Sequence, residues 1–297
     1  MPKPAAPARR GWQKLIPIAT AAAMLSVGAG VASAGGGGVE AGDGGAGAPS
    51  PPPAAGGGDF ELNGAEATPR KSFFDGVRPP SVTYEFEGGG PTDVPIAVVR
   101  KGTGEVVDTI VDPGAQPNTA NTATWDGIGA DGLKAPNGRY AFRVGDAAGT
   151  RADTAAASFG FYSHRFPIPG RHGYGDGYGA GRGHQGQDLF ARCGKKVVAA
   201  RGGTVQWNKT QSAAGNYLVI DGKGTRTDHM YAHLESRSPL RRGARVRTGQ
   251  AIGRVGATGN ASDCHLHFEA WSAPGWYEGG HALPSVRRAL KTWDTWS

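Results

Sequence analysis

Short apolar runs cut by turn clusters constrain this chain more than any other feature. They include Val82-Thr-Tyr-Glu-Phe86, Ile96-Ala-Val-Val99 and Val106-Val-Asp-Thr-Ile110. Further on come Lys196-Val-Val-Ala-Ala200, Asn216-Tyr-Leu-Val-Ile220 and Ala251-Ile-Gly-Arg-Val255. Glycine, proline, aspartate and asparagine separate them. Short alternating runs with this punctuation read as strands of an all-β fold. Glycine is dense, 51 of 297 residues, and suits the tight turns between strands. Arg287 to Trp296 reads as a short terminal helix or a packed tail without chemistry.

Before the strands come two segments of another kind. Residues 1–34 read as an export signal. Arg9, Arg10 and Lys14 give a basic start, Leu15 to Val31 is apolar and built of small residues, and Ala32-Ser33-Ala34 is a small-x-small cleavage site. A membrane anchor is the competing reading, but Pro17 interrupts the run, and a span needs about 20 apolar residues. No cysteine stands near the cleavage point for a lipid anchor. Arg9-Arg10 leaves the twin-arginine route open. No stable membrane insertion is expected after cleavage. Residues 35–71 read as a Gly/Ala/Pro-rich disordered linker, since Gly35 to Gly58 holds almost nothing apolar beyond Val39. Its flexible reach is roughly 25–30 Å.

Export gives the cysteines a meaning. Cys193 and Cys264 are the only two, in an oxidising compartment, and a disulfide between them is expected. The formal charge is +7. The basic residues are scattered along the chain, so nucleic acid is not expected as a partner. A basic exported protein is drawn to anionic surfaces such as a bacterial envelope.

Residues 72–160 read as one module. It contains Trp125-Asp-Gly127, Asp131-Gly132 and Pro136-Asn-Gly138-Arg-Tyr140-Ala-Phe142-Arg-Val144. Asn137-Gly138 is a hairpin-turn signal, and Tyr140, Phe142 and Val144 would line one face of the next strand. The stretch resembles the immunoglobulin-like domain of flagellar hook-cap proteins. That resemblance implies a β-sandwich acting as a spacer or attachment module.

The chemistry lies in residues 161–276, with 277–297 left as a C-terminal tail. Here occur His184-Gln-Gly-Gln-Asp188, Tyr231-Ala-His233-Leu and His265-Leu-His267-Phe-Glu269. Histidine and aspartate make a nitrogen and oxygen ligand set that suits zinc, and three ligands with one open position mark a catalytic site. Alternation puts His265, His267 and Glu269 on one strand face and Leu266, Phe268 and Ala270 on the other. Glu269 is a candidate to orient an imidazole, or an ordinary solvated carboxylate. In a straight strand His184 and Asp188 would start roughly 13 Å apart, so a bend at Gly186 is expected. Alternation also sets Met230, Ala232 and Leu234 on the apolar face, opposite Tyr231 and His233.

These motifs, with Gly202-Gly-Thr-Val205, Gly215-Asn-Tyr-Leu-Val219 and Gly249-Gln-Ala-Ile-Gly253 between them, resemble the lysostaphin/LytM-type zinc metallopeptidases that cut bacterial peptidoglycan. The resemblance implies a β-barrel-sandwich hybrid with a groove across one sheet. It implies His184, Asp188 and His267 as zinc ligands and His233 and His265 as catalytic histidines. It also implies an exported, cell-wall-associated endopeptidase acting on stem peptides or cross-links of peptidoglycan, expected as a monomer. A non-catalytic or latent regulator of other wall hydrolases is the alternative. His172 to Tyr178 would wall the groove. His164, His229 and His281 match no motif position and read as structural or surface residues.

Overall fold

Strands and turns account for nearly all regular structure in the computed structural model, which describes residues 60–145, 155–181 and 183–297. The expected export signal and residues 35–59 of the expected linker lie outside them. In chain order the first module has β1 (Glu61–Thr68), β2 (Lys71–Phe73), β3 (Ser81–Glu87), β4 (Thr92–Arg100), β5 (Val106–Ala115), β6 (Asn121–Thr124), β7 (Gly138–Val144) and β8 (Ser158–Tyr162). Two sheets result, ordered β1-β3-β6 and β2-β8-β7-β4-β5. Val82, Tyr84 and Phe86 of β3 alternate into the space between them, where they meet Tyr140, Phe142 and Val144 of β7. Trp125 fills the middle, its ring 5.1–6.2 Å from those of Tyr140, Phe159 and Phe161.

Two expectations for this module are corrected. The sandwich begins before residue 72, because β1 falls in the stretch read as linker and β2 starts at its last residue, Lys71, and β1 pairs with β3 from Glu61 to Thr68. Strand β1 is mostly solvent-facing, with Ala67 its one fully buried residue, so it carries little apolar signal. Asn137-Gly138 is not a hairpin turn. The turn sits earlier, at Asp131-Gly132, where Gly132 has φ 74° and its N–H donates to Gly129 O. Asn137 instead accepts the Ser163 N–H at 2.7 Å through its side chain.

The second module has β9 (Gly173–Tyr174), β10 (Gln187–Phe190), β11 (Lys196–Val198), β12 (Gly203–Gln211), β13 (Gly215–Gly222), β14 (Thr227–Leu234), β15 (Arg245–Val246), β16 (Ala251–Arg254), β17 (His265–Ser272) and helix α1 (Val286–Asp294). Seven strands form one antiparallel sheet in the order β15-β12-β13-β14-β17-β10-β9, and β11 pairs with β16. One face of the large sheet buries Val205, Leu218, Ile220, Tyr231, Leu266 and Phe268. Val286, Leu290 and Trp293 of α1 enter that same core. The segment read as a short terminal helix or a packed tail is a helix, held on the module by apolar side chains spaced one helical turn apart.

Strand β14 departs from the expected alternation. Leu218 pairs with Tyr231 while Asn216 pairs with Leu234, so β14 carries one extra residue there. This is a β-bulge. It puts Tyr231 and Leu234 both in the main core and leaves Met230 and Ala232 on the opposite face. His233, at the bulge, has φ 60°.

The two modules touch through buried polar contacts at the β15 edge. Thr248 donates through Oγ1 to Phe74 O at 2.7 Å and through its N–H to Asp75 O at 2.9 Å. Arg245 pairs with Asp75 at 2.6 Å. Arg201, 2% exposed, lies over the Phe74 ring at 4.3 Å.

Candidate metal centre

Three strands and the loop before β10 bring the five motif residues together on the sheet face opposite the main core. The chain bends at Gly186, as expected, just before β10. A Cβ there would lie 2.5 Å from Phe268 O and 2.8 Å from His267 Nε2, so only glycine lets the segment press against β17. The bend carries His184 back to Asp188, with Nε2 to Oδ1 at 3.0 Å. Register pairs Asp188 of β10 with His267 of β17, whose Nδ1 lies 2.9 Å from the same carboxylate oxygen. Candidate ligand atoms of His184, Asp188 and His267 all fall within 4.8 Å of one another.

The outer hydrogen bonds decide which nitrogens face inward. His184 Nδ1 meets Gly177 O at 2.9 Å, and a carbonyl can only accept. That nitrogen therefore carries a proton, and Nε2 faces Asp188. His267 Nε2 meets Glu269 Oε1 at 2.8 Å, leaving Nδ1 to point at Asp188. Trp271 Nε1 donates to the other Glu269 oxygen at 2.6 Å. The inner nitrogens of His184 and His267 thus converge on one carboxylate oxygen. That donor set, with each imidazole anchored on its far side, fits a divalent zinc ion.

In the metal-free protein a proton takes that place. Burial disfavours protonated His267, but its bonds to Asp188 and Glu269 outweigh burial and push it up to about 9. Burial likewise works against the Asp188 carboxylate, and the surrounding histidines overcome it and hold its pKa below the ordinary range.

His233 and His265 stand beside this cluster, ring centres 4.7 Å apart. His233 Nδ1 donates to Thr258 O at 2.8 Å, and His265 Nδ1 to Asp263 O at 2.9 Å. Both imidazoles thereby leave Nε2 for chemistry, that of His265 lying 3.6 Å from Asp188 Oδ1. Burial, followed by the neighbouring His265 and His267, lowers His233 to about 4 and keeps it neutral near pH 7.

These groups line a groove of about 750 Å³. Asp176, Ala180 and Gly183 line it, as do Trp276 and Tyr277; of residues 172–178, expected as a wall, only Asp176 takes part. No described residue of the first module lines it. Tyr174 turns away and packs beside Phe166 and His172, and Tyr178 is exposed. His164 and His229 stack among Trp293 and Phe268, outside the groove. Burial holds both neutral, His229 at about 3.

Sequence reasoning missed Trp271, Thr258, Trp276 and Tyr277. Trp271 had a signal, because alternation from Glu269 puts it on the same face. Thr258 acts on His233 through its backbone carbonyl, as do Gly177 on His184 and Asp263 on His265, and carbonyls leave no mark in a side-chain pattern.

Residues 182–279 match the model for peptidase family M23, and this stretch holds all five motif residues. It is a peptidase family M23 domain. Residues 71–150 match the FlgD Ig-like domain. This chain is 37% identical over 86 residues to peptidoglycan DD-endopeptidase ShyC of Vibrio cholerae serotype O1, covering 29% of this chain and 19% of that protein. It is 34% identical over 108 residues to the L-Ala--D-Glu endopeptidase of Bacillus subtilis, 32% of each chain. The catalytic domain of lysostaphin from Staphylococcus simulans has a TM-score of 0.36 and 27% identity, covering 40% of this chain and 92% of that one. The chain spans about a fifth of the length of the first curated relatives it matches. The M23 match holds most of the groove-lining residues, and the FlgD Ig-like match precedes it. Cys193 and Cys264 are disulfide-bonded with Cα atoms 5.3 Å apart, tying the segment after β10 to the start of β17.

Proposed function

We propose that this protein is an exported zinc endopeptidase that hydrolyses peptide bonds in bacterial peptidoglycan. The observation that carries the reading is the pairing of the His184, Asp188 and His267 cluster with two further imidazoles in one groove. His184 through Nε2, His267 through Nδ1 and Asp188 through its carboxylate would hold the metal. Zinc bound there would supply a Lewis acid for the scissile carbonyl and raise the acidity of a water molecule.

The remaining steps belong to the chain. His233, neutral through burial, accepts a proton at Nε2 from the attacking water while Thr258 O holds its ring orientation. His265, oriented by Asp263 O, stands 4.7 Å away, ring centre to ring centre. With a second proton at Nε2 it would donate to the developing oxyanion, and the proton taken up by His233 is returned to the leaving amine. The groove walls keep an extended peptide over these atoms.

The substrate reading is a D,D cross-link between stem peptides, in keeping with what the Vibrio relatives are named for. The disulfide suits an oxidising compartment and supports export. Mass spectrometry of muropeptides released from isolated sacculi by the purified full chain tests all of this. New peptide termini are expected. They should vanish in His233→Ala and His265→Ala proteins that still bind zinc. Intact muropeptides from a zinc-loaded, folded wild type would sink the reading.

A further inference from the structure

A strip of cations lies beyond one wall of the groove. Between residues 235 and 254 stand six arginines and a single acid, Glu235. All six are exposed. Some have structural work: Arg245 pairs with Asp75, Arg254 donates to Gly194 O and Arg237 donates to Asn208 O. Arg242 does something else. Its guanidinium lies 4.8 Å from the ring centre of Trp207, and the ammonium of Lys209 lies 4.4 Å from the same centre. Two like charges are thus held on one indole. Among the described residues no carboxylate pairs with Lys209, Arg241 or Arg242. Ring contact restrains both side chains, so less freedom is lost when an anion binds them.

The position of Trp207 ties this strip to the groove. Trp207 pairs with Val219, Val219 with Met230 and Met230 with Glu269. Directly paired residues share a sheet face, so the row runs from Trp207 to the carboxylate that orients His267. Three strand spacings make that about 14 Å. Trp276 packs against Trp207 and covers Met230 and Val219, and the exposed Tyr277 continues this wall. About 14 Å corresponds to some four residues of extended peptide.

We propose that Lys209 and Arg242, with Arg241 beside them, form an accessory site for free carboxylates on the wall strand held in the groove. This rests on the peptidoglycan reading above. The group bound lies some four residues from the scissile bond.

The test is co-sedimentation of the full chain with isolated sacculi in chelator, so that binding is read without cleavage. Lys209→Glu/Arg242→Glu is compared with Arg288→Glu/Lys291→Glu, which changes the net charge equally on helix α1. The first should bind roughly tenfold more weakly and the second like wild type. Amidating the sacculus carboxylates should bring wild type down to the level of the first variant. Lys209→Gln/Arg242→Gln, milder for folding, should fall between. Equal losses in both charge-reversed proteins would reduce the effect to net charge and overturn the site. So would unchanged binding of the Lys209/Arg242 variants. A loss that follows removal of phosphodiester polymers instead of amidation would overturn carboxylate as the ligand. Failure of the peptidase reading would show separately, as sacculi that bind protein but yield no new termini without chelator.

Discussion

Replacing Trp271 with phenylalanine removes one hydrogen-bond donor and little else. The indole N–H reaches Glu269 Oε2 at 2.6 Å, and Glu269 Oε1 receives His267 Nε2 at 2.8 Å. Glu269 is only 6% exposed, so water replaces the lost donor poorly. An unsatisfied buried acceptor costs about 1–3 kcal/mol. Glu269 then holds His267 less firmly, and His267, as the proposed zinc ligand, would present Nδ1 less well. Outer partners of this kind are worth about 10–100-fold in metal affinity. Trp271 acts through Glu269, one bond removed from the ligand, so the lower end is expected: about tenfold, or ~1.4 kcal/mol. Zinc competition against a chromophoric chelator reads the affinity, and circular dichroism and thermal unfolding of the metal-free protein report on the fold. Weaker zinc binding in a folded variant is the expected result. A Trp271→Phe protein with wild-type zinc affinity refutes the reasoning, whatever happens to its stability.

Other outcomes follow from the same geometry. Because Asp188 and Glu269 raise metal-free His267 to about 9, zinc binding at pH 7.5 must displace its proton. Calorimetry in buffers of different ionisation enthalpy should show about one proton released from this residue, and a zero slope contradicts it. The sign for stability is also set. A raised pKa stabilises the metal-free fold fully below its ordinary value of 6.5, and that contribution disappears as pH rises through about 9, so the metal-free thermal midpoint should fall across this window. Cys193→Ser/Cys264→Ser opens a loop of sequence separation 71 and should cost up to about 4 kcal/mol in chemical denaturation; no loss would mean the bond is not formed in solution. Gly186→Ala forces β10 away from Phe268 O, and should lose bound zinc on metal analysis, whereas full occupancy would show that the contact yields.

Where the sequence could be read, it was read through regular alternation or local motif. Strands β3, β7 and β17 alternate, and their inward residues are the ones named from the pattern. The bend at Gly186 followed from the distance His184 and Asp188 would otherwise span. What escaped was of other kinds. Strand β1 is paired on a mostly wet face, so its partner and not its own residues makes it a strand. Val286, Leu290 and Trp293 did follow a helical spacing, but a short terminal segment gave no hint of the core it enters. The contact of Thr248 with Phe74 and Asp75 joins residues more than 170 positions apart by one hydroxyl and three backbone groups, and no local pattern encodes that.

The bulge in β14 sets two demands on one strand against each other. A regular ladder would keep His233 out of the groove or Leu234 out of the core. One surplus residue satisfies both, and the cost is a histidine in a left-handed conformation, of order 1–3 kcal/mol. Removing Ala232 would restore even pairing and relieve that strain, but it would shift the histidine one residue along the strand, into the place of Ala232 opposite His267. Selection for a tougher fold would drift toward such a deletion, and only a need for the histidine would keep the irregular version. Thermostability screens blind to activity should therefore recover shortened β14 variants that fold well and cut nothing.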